Sequence, residues 1–86
     1  MKSSIKFLKE LLILIVSGQT TYNESEQKIY YWLVQIKKYD RPYGNSIESE
    51  LKDYLADKKR SVYLKQIINR LANFDEEIRN RTIYHK

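Results

Sequence analysis

The sequence predicts an all-α fold, a compact bundle of four helices followed by a short C-terminal helix. Three observations predict it. Apolar residues recur at every third or fourth position in stretch after stretch, the period of a helix face and not the alternation of a strand. Turn residues are scarce, with 2 glycines and 1 proline, too few for a many-stranded sandwich. At 42% hydrophobic and 31% charged residues the chain can bury a core and is not disordered, and 86 residues suffice for one domain spanning 1–86.

The first helix is expected over 4–17. Ile5, Leu8, Leu11, Leu12 and Ile15 make its apolar face, Ser3 or Ser4 supplies an N-cap, and Gly18 ends it. Its second half, Leu11 to Val16, is apolar all round, so Ile13 and Leu14 need cover from a second surface. The run is far short of the roughly 18 residues a membrane span requires. Lys9 and Glu10 interrupt the apolar stretch of the helix as a whole, which argues against a secretion signal, and the expected location is the cytoplasm.

After a polar linker from Gln19 to Tyr22, Asn23 and Glu26 match an N-cap with its capping-box partner, and the second helix follows over 24–39. Ile29, Trp32, Leu33 and Ile36 form its core face. Asp40-Arg41-Pro42-Tyr43-Gly44-Asn45 reads as a turn cluster. Asn45 or Ser46 then caps a third helix over 47–57, carrying Ile47, Leu51, Tyr54 and Leu55 inward. The fourth, over 61–72, has Leu64, Ile67, Ile68 and Leu71 at ideal spacing. Nothing in the residues between Ala56 and Ser61 decides whether helices three and four are joined or broken there. Asn73 with Glu76 resembles another capping box, and a last helix from 74 turns Phe74 and Ile78 inward, with Glu77 and Arg81 spaced for an ion pair.

Enzyme chemistry is poorly supplied. There is no cysteine and one histidine, His85, which excludes thiolate chemistry, a histidine-based triad and a multi-histidine metal site. Gly-rich phosphate loops and metalloprotease or hydrolase motifs are absent. Glu48 and Glu50 point to different sides of a helix, and Asp53 and Asp57 read as solvated surface. The expectation is a non-enzymatic protein with no cofactor and no metal.

Two features point to partners. In Tyr30-Tyr31-Trp32 the helical phase sends Trp32 to the core and leaves Tyr30, Tyr31 and Val34 outward, where aromatic rings supply large contact area at small entropic cost. That patch predicts binding of a protein partner, as an inhibitor, immunity-type factor or adaptor. The surplus apolar surface at Ile13 and Leu14 also fits a homodimer, in which one patch serves both subunits.

The alternative is nucleic acid. The net charge of +5 and a pI of about 9.4 permit it. Lys58, Lys59, Arg60 and Lys65 would hold phosphates, and Gln66, Asn69 and Arg70 would read bases. The stretch 50–72 can be laid on a helix-turn-helix of a DNA-binding regulator, but imperfectly. Lys52 stands where a small residue belongs, Ala56 replaces the turn glycine, and Asp57 and Lys65 occupy apolar positions. A membrane-surface role is disfavoured, because Lys2, Lys6 and Lys9 are too few for stable anchoring. Lys, Ile, Tyr and Asn make up 34 of the 86 residues, and their A/T-rich codons point to an AT-rich genome or a mobile element.

Overall fold

The computed structural model describes residues 2–84. Five helices follow one another: α1 (Lys2–Val16), α2 (Tyr22–Tyr39), α3 (Arg41–Ala56), α4 (Ser61–Ala72) and α5 (Phe74–Tyr84). The first four form a closed ring of neighbours, α1 against α2 and α4, and α3 against α2 and α4, while α5 packs on α4. Each neighbouring pair runs antiparallel. Phe7 stacks on Trp32, Tyr22 meets Tyr54, and Arg70 reaches back to Ser46. The result is an up-down-up-down bundle with short connections. No helix among the described residues is long and apolar enough to cross a membrane.

The core follows the apolar stripes expected from the sequence, with additions and with the loss of Leu55, which is expected inward and is 43% exposed. Ile5, Leu8 and Leu12 of α1, Ile29, Leu33 and Ile36 of α2, Ile47, Leu51 and Tyr54 of α3, and Leu64, Ile67 and Leu71 of α4 are all buried, as is Phe74 of α5. The additions are Tyr22 and Tyr43. Both lie in segments that composition marks as linker or turn.

Tyr22 is buried because α2 begins earlier than Asn23 suggests. Thr21 is the N-cap: its Oγ1 accepts from the Glu24 N–H at 3.2 Å, and the Glu24 carboxylate accepts from the Thr21 N–H at 3.2 Å. This register places Tyr22 and Ser25 on the buried face, with Tyr22 and Tyr54 ring centroids 5.5 Å apart.

The turn cluster after Tyr39 is in fact the first turn of α3. Asp40 is at once the C-cap of α2 and the N-cap of α3, and its Oδ1 accepts from the Tyr43 N–H at 2.9 Å. Pro42 sits in the first turn, where its missing N–H costs nothing. Gly44 lies within α3 and has no side chain because α2 passes directly over it. A Cβ there would stand 2.5 Å from the Lys37 Cγ and 3.0 Å from the Lys37 Cα. The close approach lets the Lys37 Nζ pair with Glu48 at 2.8 Å, and that hydrogen bond draws the Glu48 carboxyl below its ordinary range.

Helices α1 and α3 end in related ways with different residues. After α1, Gly18 adopts φ 80°, and the Gln19 and Gly18 N–H groups return to the Leu14 and Ile15 carbonyls at 2.9 and 3.1 Å, a Schellman closure. After α3, the Lys59 N–H reaches the Tyr54 carbonyl at 3.0 Å, and the left-handed positions are filled by Lys58 (φ 55°) and Lys59 (φ 54°). Helices three and four are therefore broken, at a cost of about 1 kcal/mol for each lysine held in that region. The α4 N-cap is Arg60, without a side-chain cap bond. Between α4 and α5 the backbone kinks through Asn73, whose carbonyl accepts from the Glu77 N–H at 3.0 Å. Glu77 turns to Arg70, and the Arg81 side chain lies outside the described residues.

Candidate protein-binding surface

Helix α2 buries Tyr22, Ser25, Ile29, Leu33 and Ile36, which leaves Tyr30 and Tyr31 outward at 61% and 55% exposure, with Val34 half-buried between them. The three residues do not form one patch. Tyr30 leans toward α3, where it lines a shallow groove with Glu26, Leu33, Lys52 and Leu55. Tyr31 leans the other way, toward α1. There it lines a larger groove of about 480 Å³ together with Phe7, Leu11, Leu14 and Trp32, rimmed by Glu10, Gln27 and Lys28.

The α1–α2 groove is built from aromatic rings that hold one another. Phe7 stacks on Trp32 with centroids 5.0 Å apart, and Tyr31 meets the same indole edge-on at 4.8 Å. Trp32 is thus not a core residue, as its phase suggests, but a half-buried one at the core's margin. Phe7 is 44% exposed and Leu14 37%. Leu14 finds its cover here only in part, and Ile13, one position round the helix, remains 44% exposed outside the groove. Phe7 was the residue that sequence reasoning missed. The signal for it was present, since Phe7, Leu11 and Leu14 repeat at helical spacing on a flank beside the core stripe.

The basic positions are divided by the fold. Lys58, Lys59 and Arg60 are exposed on the α3–α4 turn, and Lys65, Gln66 and Asn69 are exposed on the outer face of α4. Arg60 lies 3.7 Å from Asp57, and Asp57 also accepts from the Tyr63 hydroxyl at 2.9 Å, a bond that raises the phenol's pKa.

Arg70 leaves this group altogether. Its guanidinium points between α3 and α5, donating to Ser46 Oγ at 2.8 Å, to the Glu50 carboxylate, and to Glu77 Oε1 at 2.6 Å. It also lies 5.5 Å from the Tyr43 ring centroid. Burial would lower the Arg70 pKa, but the bonds to Glu77 and Glu50 outweigh it and hold the charge firmly. Beneath it, the buried Tyr43 hydroxyl donates to the Arg70 carbonyl at 3.3 Å, and burial, with Glu77 nearby, pushes its pKa well up. Bonded to residues of α3 and α5, the Arg70 guanidinium is turned away from Gln66 and Asn69 on the outer face of α4.

The same contacts describe how α3 and α4 sit. Tyr43 and Ser46, early in α3, touch Arg70, late in α4, so the two helices lie side by side along their length. That is an αα-hairpin. A helix-turn-helix instead crosses its two helices near the turn, at about 90 to 120°. Comparison of the chain with protein-family models, with curated proteins and with solved structures yields no match.

Proposed function

We propose that this chain is a small non-enzymatic protein that acts by holding a protein partner on its α1–α2 face, as an inhibitor, immunity-type factor or adaptor. The observation that carries this reading is the solvent-open groove of Phe7, Leu14, Tyr31 and Trp32. Aromatic side chains already ordered by their neighbours lose little further entropy on binding, and completing the burial of a large apolar side chain contributes up to about 1.5 to 3 kcal/mol. In this reading the protein works in the cytoplasm, and its abundance of Lys, Ile, Tyr and Asn, residues with A/T-rich codons, suggests a phage or plasmid origin. Nucleic-acid binding through Lys58, Lys59, Arg60 and Lys65 is the weaker reading, because the hairpin arrangement of α3 and α4 and the engagement of Arg70 remove the geometry it relies on.

The test is a double substitution, Leu14→Ala with Tyr31→Ala, in tagged protein used for affinity capture from host lysate. Circular dichroism should be unchanged and the captured partner lost, while Tyr30→Ala, on the α3 side, keeps it. Retention of the partner by a folded double variant would remove the groove from the function.

A further inference from the structure

We propose that the α1–α2 groove is occupied by a second copy of this chain, in a two-fold dimer whose axis runs parallel to the helices. The inference rests on the protein-binding reading of the groove and names its partner. It is carried by charge. Each chain has a net charge of +5, so two copies repel unless they meet on a face where charge cancels. The groove is such a face. The charged residues lining it are one acid, Glu10 on the α1 rim, and one base, Lys28 on the α2 rim. Lys6 and Lys9 of the same α1 are turned away, into the depression between α1 and α4.

The placement of the two rim charges also selects the arrangement. Phe7 stands opposite Trp32, and the helices run antiparallel, so four residues back along α2 corresponds to four residues forward along α1. Lys28 is therefore level with Leu11, within about 1.5 Å along the axis of Glu10. Two isologous pairings can bring the grooves face to face. With the axis perpendicular to the helices, α1 lies on the partner's α1, and Glu10 faces its own copy, as does Lys28. With the axis parallel to them, α1 lies on the partner's α2 at the same height. Glu10 of each subunit then faces Lys28 of the other, once on each rim. Only the second arrangement pairs opposite charges. Between the two rims, Phe7, Leu14, Tyr31 and Trp32 of both copies form one apolar layer. Tyr30 and the α2–α3 groove stay open on the outside of the dimer.

Neither rim charge forms an ion pair within the subunit among the described residues, and both are exposed, so exchanging them leaves the monomer fold intact. The experiment is sedimentation equilibrium of wild type, Glu10→Lys, Lys28→Glu and the double exchange, over about 1 μM to 1 mM. Emission from Trp32, the single tryptophan, on dilution reports the same face directly. Wild type should associate reversibly as a dimer, with Trp32 emission shifting to the red as it dissociates. Because each reversal acts twice in a two-fold interface, either single variant should weaken association by about tenfold or more. The double exchange should restore it to within about threefold. Wild type that stays monomeric throughout, single reversals without effect, or a double exchange that fails to restore association would each overturn the proposal. A monomeric wild type whose Leu14→Ala, Tyr31→Ala variant still loses a lysate partner would leave the protein-binding reading standing and replace only its occupant.

Discussion

Two seams of this bundle are built on opposite plans. Between α3 and α4, Arg70 gathers Ser46, Glu50 and Glu77 around one guanidinium, with Tyr43 fully buried beneath it. Its polar groups are matched within the protein. Between α1 and α2, Phe7, Leu14, Tyr31 and Trp32 hold their rings and methyl groups at the surface, with no polar contact closing them over. The difference separates residues spent on stability from residues that, in the proposed function, serve association. Arginine and tyrosine, frequent at interfaces, are internal fasteners at one seam, and exposed apolar surface, ordinarily a liability, is concentrated at the other.

The contrast breaks first at the tyrosines. Tyr43→Ala should cost about 4 kcal/mol of folding stability in urea denaturation, since it empties a fully buried aromatic site and removes one of the hydrogen bonds to the Arg70 carbonyl. Tyr31→Ala should cost less than about 1 kcal/mol, because the ring is mostly exposed. Equal losses at the two positions would mean that the α1–α2 face is as structural as the α3–α4 seam.

Next in size is Arg70→Ala. It leaves Glu50 and Glu77 half-buried without their cation, and an expected loss of about 2 to 3 kcal/mol reflects that the group is still 25% exposed. Replacing all three, Arg70→Met with Glu50→Gln and Glu77→Gln, should recover most of it. A triple variant as unstable as Arg70→Ala would show that Arg70 acts through its stem and its packing on Tyr43, not through its charge.

The smallest effect sharpens the comparison at the helix ends. Lys58→Gly should raise stability by about 1 kcal/mol, by relieving a left-handed lysine, whereas Gly18→Ala at φ 80° should lower it by a similar amount. Chemical denaturation midpoints of the two variants should move in opposite directions. Loss of stability in Lys58→Gly would show that the conformation is held by contacts that outweigh its backbone strain.

Much of the fold was legible from spacing. The fourth helix over 61–72 and the start of the fifth at 74 follow from Leu64, Ile67, Leu71 and Phe74, because a helix must bury whichever face its apolar residues share. The start of the third helix was not legible. Pro42 and Gly44 have strong local preferences for turns, yet Pro42 is admitted to the first turn behind the Asp40 cap, and Gly44 is needed because the Lys37 backbone lies where a Cβ at 44 would be, a contact that only the packing of α2 on α3 reveals. The candidate site was half legible. Tyr31 and Leu14 stood out one at a time as surplus apolar residues, but that they face one groove depends on the pairing of α1 with α2.

By itself, then, the sequence determined the number of helices, most of the stripes that make the core, and a composition without cysteine and with one histidine, since periodicity and composition are properties of the chain alone. Tertiary structure decided where each surplus residue ends up. The helical phase of Trp32 points inward and that of Arg70 toward a basic face, yet the first ends at the margin of a groove and the second clasps two carboxylates. Phase measures an angle around one helix, and only the neighbouring helix determines whether that angle meets solvent, a ring or a charge.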